Sequence, residues 1–324
     1  MSVPSSASAP SARSLWNRAW SLSPTLAVAT GVMILGALLT TLGLLLDPRH
    51  LVGEPLWLKP TKFYLSLAAY NATLLYFFSF LSERRRLVRL SGHVLAAAGT
   101  IEMVAITLQA ARGVRSHFNV VTPFDAAIFS IMGIAITVLW VTMIVLAIAL
   151  LRSQLADRPL AAALRIGFIA AVIGMGLGYF MTTPKPAQLE AMKAGQQVLE
   201  SGSHTFGAPD GGPGLPLVGW STVAGDMRPA HFLGLHAMQL LPILAAVLAR
   251  RRHLSETQRL AAVRATGVAY VGVTLVLAVQ ALRGVPIVHW DAVGLTTLAL
   301  VALASLTTAA ATLLRRQPDA APAV

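Results

Sequence analysis

Apolar residues in this chain gather into eight long runs, at about 24–46, 63–81, 93–112, 124–151, 160–183, 231–249, 262–282 and 292–314. Each is long enough to cross a hydrocarbon layer of about 30 Å as a helix. In lipid, backbone N–H and C=O groups must be satisfied within the segment itself, and runs rich in Leu and Ala achieve this as helices. The pattern predicts an all-α integral membrane protein with eight transmembrane helices.

The polar punctuation repeats. Gln109-Ala110-Ala111-Arg112-Gly113-Val114 leads to His117, Phe118 and Asn119, and Gln280-Ala281-Leu282-Arg283-Gly284-Val285 leads to His289, Trp290 and Asp291. The second run lies between Lys59-Pro60 and Arg84-Arg85-Arg86, the sixth between Arg228-Pro229 and Arg250-Arg251-Arg252. Matching order over this distance indicates internal duplication. The expected units are 24–151 and 160–314, four helices each. An even number of helices keeps both units in one orientation, so the sequence predicts a tandem parallel repeat about a pseudo-two-fold axis along the membrane normal. Residues 182–229 break the symmetry: a long loop, helical from Pro186 to Glu200, that reads as a candidate lid.

Composition agrees with the pattern and adds a direction. Hydrophobic residues make up 56% of the chain and charged residues 12%, with a mean hydropathy of +0.68. There is no cysteine, which removes disulfides, thiolate metal ligands and iron–sulfur clusters. The net charge of +12 is confined mostly to one set of span ends, which carries 16 of the 25 basic residues, including Arg84–Arg86, Arg250–Arg252, Arg315 and Arg316. Such segregation is a topology signal and not a nucleic-acid footprint. It places both termini in the cytoplasm of a bacterial inner membrane. Residues 1–23 are then a cytoplasmic segment, disordered in its Ser-, Ala- and Pro-rich first 12 residues and interfacial around Leu15, Trp16 and Trp20, and 315–324 is a cytoplasmic tail. The first apolar run is too long for the core of a signal peptide and lacks a small-residue cleavage site.

Candidate chemistry follows from polar residues in apolar company. Glu102 is the one carboxylate near the middle of a span, and an intramembrane carboxylate defaults to proton or cation handling. Gln109, seven residues on, shares its helix face, with Arg112 a turn further out; Glu102 and Gln109 are the candidate catalytic, proton-carrying pair. A buried structural glutamate bonded to Asn71, Gln239 or Gln280 is the bland alternative. The second unit has Val273 in place of Glu102. His117, His236 and His289 are candidate ligands of a b-type haem, which needs one imidazole from each of two facing elements. Arg112 and Arg283 are candidate anchors for propionates, a quinone oxygen or another small anion, in a rim that also holds Lys59, Lys62 and Arg228. His231 and His236 are a candidate metal pair, but five residues of helix turn them about 140° apart; zinc helices use closer spacings.

The layout of two tandem four-helix units is similar to that of the haem A synthase family. The likeness is one of architecture over the whole chain and not of motif. That family's Glu near a His-Arg pair and its repeated His ligands have no match here, where the first loop offers Arg49-His50 and the second run has no histidine. From sequence, the leading expectation is a polytopic protein binding b-type haem or quinone near the outer face. The alternatives are a proton-coupled transporter or lipid- or anion-binding permease, then a zinc hydrolase using His231, His236 and Asp226 or Asp291, or a non-catalytic accessory subunit. The lipid bilayer is the one partner the composition requires.

Overall fold

The computed structural model describes residues 12–81 and 83–314. The expected disorder of the first residues and the 315–324 tail lie outside the described residues. A short amphipathic helix, α1 (Ala12–Leu22), leads into the long helices α2 (Pro24–Leu46), α3 (Leu58–Phe78), α4 (Arg85–Ala111), α5 (Pro123–Leu151), α6 (Arg158–Leu177), α9 (Arg228–Ala249), α10 (Glu256–Leu282) and α11 (Ala292–Leu314). A single turn, α7 (Tyr179–Thr182), continues α6, and α8 (Pro186–Lys193) lies in the long loop. The fold is all-helical. Among the described residues, seven helices are long and apolar enough to cross a membrane. The remaining long helix, α3, carries Lys59 and Lys62 in its first turns.

Local sequence explains where the helices start. Ser23, Thr122 and Asp157 each accept a hydrogen bond from a backbone N–H three residues on, with proline at the first or second helical position of α2, α5 and α6. Side-chain caps satisfy donors that the helix cannot, and proline has no donor to lose there. Ser255 and Gln258 form a capping box at α10.

The ends of α4 and α10 give the repeated phrase its physical meaning. Gly113 (φ +73°) donates to Ala110 O and Val114 to Gln109 O; Gly284 (φ +75°) donates to Ala281 O and Val285 to Gln280 O. Both are Schellman closures, in which a left-handed glycine turns the chain so that two following amides cap orphan carbonyls. The same closure, with Gly195, ends α8 at Lys193, so the helical stretch expected to run to Glu200 stops seven residues short.

Packing repeats pairwise. In the first half α2 packs on α3, α4 on α5, α3 on α4 and α2 on α4; in the second, α6 packs on α9, α10 on α11, α9 on α10 and α6 on α10. The α6–α9 contact brings backbones together at glycine: a β-carbon on Gly174 would lie 2.7 Å from Gly234 Cα. The halves meet through α5 and α6, where Trp140 donates to Val172 O (2.9 Å), and through Phe77 against Phe168 (5.0 Å between ring centroids). A closed pseudo-two-fold would pair α11 with α2 as α5 pairs with α6. No comparable packing occurs there, so the expected axis does not describe how the halves join.

The helices alternate in direction and give the bundle two unlike ends. At the arginine end, Thr25 meets His93 (2.7 Å) and Arg158 approaches Glu256 (4.0 Å). At the loop end, β1 (His50–Leu51) pairs with β2 (Glu54–Pro55) and β3 (Thr205–Phe206) with β4 (Gly225–Asp226), both antiparallel. Gly174→Val should overpack the α6–α9 seam and cost about 1–3 kcal/mol. A lowered thermal midpoint in detergent is expected, whereas Gly133→Ala, with nothing within 4 Å of the added carbon, should leave it unchanged.

Candidate functional site

Beyond Gly113 the chain does not leave the bundle. Residues 114–120 turn back as a hook, with Phe118 in a left-handed conformation (φ +65°) that a non-glycine residue adopts at a cost. The hook is held by the long loop: Ser201 N donates to Phe118 O (2.8 Å), Val120 N to Leu199 O (3.1 Å), and Arg115 pairs with Glu200 (2.6 Å). Phe63, Phe118 and Phe129 surround the imidazole of His117 at 5.8, 6.0 and 6.5 Å between centroids.

His117 joins two charged residues. Its Nε2 lies 3.4 Å from Glu102 Oε1, and its Nδ1 lies 3.1 Å from Lys59 Nζ and 3.1 Å from Ser116 Oγ. Glu102 is buried at 2% exposure, and its Oε2 has no hydrogen-bond partner. An ammonium group has donors and no acceptor. With Lys59 charged, Nδ1 accepts, the ring proton sits on Nε2, and that proton points at Glu102. Burial, then the Lys59 charge, pulls the His117 imidazole below its ordinary value, while Glu102 opposes them; the ring is held neutral. Glu102 meets none of Asn71, Gln239 and Gln280.

Lys59 and His117 open onto a cavity of about 360 Å³ at the loop end. Its walls come from residues 51–60, the end of α4, the hook, and the long loop at His204, 210–219 and Arg228. Two aspartates organise that loop. Asp210 accepts from Ser203 Oγ (2.7 Å), His204 Nδ1 (2.8 Å), Thr205 Oγ1 (2.9 Å) and the backbone N–H of His204 and Thr205. Asp226 accepts from Ser221 N (2.8 Å) and from Arg228 through N, Nε and Nη2. Far from hanging free, the loop is tied down.

The other sequence candidates fall elsewhere. Gln109 Nε2 donates to Asp125 Oδ1 (2.9 Å), and Arg112 bonds both Gln109 Oε1 and Asp125 Oδ1 (2.6 Å to Asp125). Arg283 pairs in the same way with Asp291, while Gln280 donates to the carbonyls of Pro286 and His289 (each 2.9 Å). Each repeated arginine is thus neutralised by an aspartate near the start of the next helix, and neither lines the cavity. Sequence order set Asn119 against Asp291, but Asp125 plays that part; the readable signal was an acid in the first turn of α5.

His231 Nδ1 donates to Gly174 O (2.7 Å), and His236 packs against Phe232 at 4.2 Å between centroids, the rings tilted by 57°. Among the described residues no three metal-ligating side chains cluster, and Asp226 and Asp291, the carboxylates considered for zinc, are each paired with arginine. Of the histidines, His231 lies within electrostatic reach of both His117 and His236. No family model matches the chain, and neither a curated protein nor a solved structure matches it.

Burial pulls the His204 imidazole from 6.5 to about 4, with Arg228 and Lys59 adding to that and Asp210 opposing it. The unfolded chain takes this proton near 6.5 and the folded chain near 4. Stability from the neutral ring is therefore full above pH 6.5 and drains as pH falls towards 4. The thermal midpoint should decline across this window, and His204→Asn, which keeps a donor for Asp210 but does not titrate, should flatten part of the decline. Equal slopes in the two proteins would refute the assignment.

Proposed function

We propose that this is a proton-coupled membrane protein of the transporter class, which admits a small ligand at its outer face and passes protons between the cavity wall and Glu102 through His117. The observation that carries this reading is the placement of one imidazole between Lys59 on the cavity wall and a buried carboxylate. The step is balanced: Lys59 Nζ gives a proton to Nδ1, and Nε2 gives its own to Glu102 Oε1. A neutral amine, the other imidazole tautomer and a carboxylic acid result. A charge at this depth in α4, about 13 Å from the helix end at 1.5 Å per residue, is expensive unless compensated. A residue that exchanges its proton there suits coupling.

In this reading α3 is the eighth crossing helix, since 21 residues span about 31 Å and its lysines sit where it would leave the hydrocarbon. The matched pairwise packing and the paired Schellman ends support a tandem duplication. The arginine end is the cytoplasmic face of a bacterial inner membrane, with both termini there. Ligation of b-type haem, or redox work on quinone, gains no similar support: both ring nitrogens of His117 are engaged, and His236 and His289 lie outside the cavity wall.

Proton flux in proteoliposomes under an imposed pH gradient tests the proposal. Glu102→Gln and His117→Ala should each lower ligand-driven proton movement by about 100-fold or more, the range that positioned proton-transfer groups contribute, while the purified variants keep the elution profile of the parent. Unchanged flux in both would sink it. The protein purified after growth with ample haem should be colourless; a Soret band lost in His236→Ala would restore the redox alternative.

A further inference from the structure

We infer that the cavity binds a short monocarboxylate, with the carboxylate on the Lys59 ammonium and the apolar body against Leu56, Ile106 and Leu215. This deepens the proton-coupled reading and rests on it only for the accompanying proton. Of four cations grouped here, Arg115 and Arg228 on the wall and Lys62, three residues along α3 from Lys59, are committed to carboxylates: Arg115 to Glu200 (2.6 Å), Arg228 to Asp226 (2.6 Å) and Lys62 to Glu54 (3.4 Å). Among the described residues, Lys59 alone of the four has no carboxylate within ion-pair distance; its polar partner is the neutral His117.

The charge of the wall selects the charge of the ligand. Asp210 also lines the cavity and its hydrogen-bond partners are neutral groups, so a second negative charge would meet repulsion that one ammonium does not offset. That disfavours a phosphate dianion and favours a monoanion. The leucine and isoleucine surfaces call for an apolar tail, and about 360 Å³ is near the lower end of small-molecule sites, which keeps the tail short.

Charge balance links the anion to a proton. In the empty site, Lys59 and Glu102 compensate one another across His117. A carboxylate on Lys59 takes over that cation and leaves Glu102 as an uncompensated buried charge. One proton then passes inward to Glu102 and Lys59 is replenished from solvent, so that anion and proton bind together without net charge. Only the first half is equipped for this, because Val273 stands where Glu102 would be in the second.

The test is calorimetric titration of the whole protein in mild detergent with butyrate, butyramide and inorganic phosphate, run in two buffers of different ionisation heat. Butyrate should bind at least about tenfold more tightly than butyramide, the discrimination expected of a charge-assisted hydrogen bond, and phosphate should not compete. Lys59→Met should lose the preference for the anion and Lys59→Arg should keep it. The ligand series on the parent protein remains decisive if Lys59→Met fails to fold. Equal binding of butyrate and butyramide, no binding of either, or preference for phosphate overturns the assignment. Uptake should approach about one proton per butyrate and vanish in Glu102→Gln, which still binds butyrate. Butyrate binding without proton uptake upholds the carboxylate site and removes the coupling.

Discussion

A carboxylate inside a helix bundle must find a counter-charge, and the loop end of this protein is shaped by how Glu102 finds one. No residue of its own helix supplies it. The cation comes from the first turn of α3, too far for direct contact, and His117 fills the gap. To put an imidazole there the chain must double back after α4, set Phe118 in a left-handed conformation, and bury the ring among phenylalanines. The unfavourable backbone geometry, of order 1–3 kcal/mol at such a residue, does not exceed the cost of an unpaired charge in hydrocarbon.

Around this point the bundle is conventional in its physics. Helix starts are capped by Ser, Thr or Asp ahead of proline, and the repeated ends of α4 and α10 are closed by glycine. At both ends the arginine that follows the last helical residue is tied to an aspartate near the start of the next helix, which fixes the turn between consecutive crossings. A guanidinium so placed is a brace, and braces come in matching pairs because both halves need the same corner. The set of Lys59, His117 and Glu102, by contrast, has no counterpart in the second half, where Val273 stands in place of Glu102.

The sequence disclosed the corners more readily than the site. Periodicity and charge segregation marked the helices, because a hydrocarbon solvent leaves few other solutions for long apolar runs. Gln109-to-Val114 and its copy were visible as a repeat, but their role as helix stops needed the backbone angles. Glu102 stood out as an intramembrane acid, and His117 as a repeated histidine. Their contact could not be read, because a helix end followed by a polar loop ordinarily points outward and nothing in residues 113–120 announces a hook. Lys59 looked like one of several rim cations. Only the pairing of Arg115, Arg228 and Lys62 with carboxylates distant in sequence or across a turn sets it apart, and Asp125 was passed over because Asn119 matched Asp291 in order.

The seam between hook and long loop has a mechanical consequence. Residues 199–201 pair antiparallel with 118–120 at a single bridge, Asn119–Glu200, flanked by hydrogen bonds to Phe118 O and from Val120 N. The long loop, which walls the cavity further along at His204 and 210–219, and the segment that carries the imidazole are therefore one stitched piece. A shift of the long loop at this seam would strain or break the backbone bonds that hold the hook, and with them the placement of His117 between Glu102 and Lys59. Under the proposed proton-coupled reading such an arrangement would be an interlock, in which the loop and the contacts of the imidazole move together.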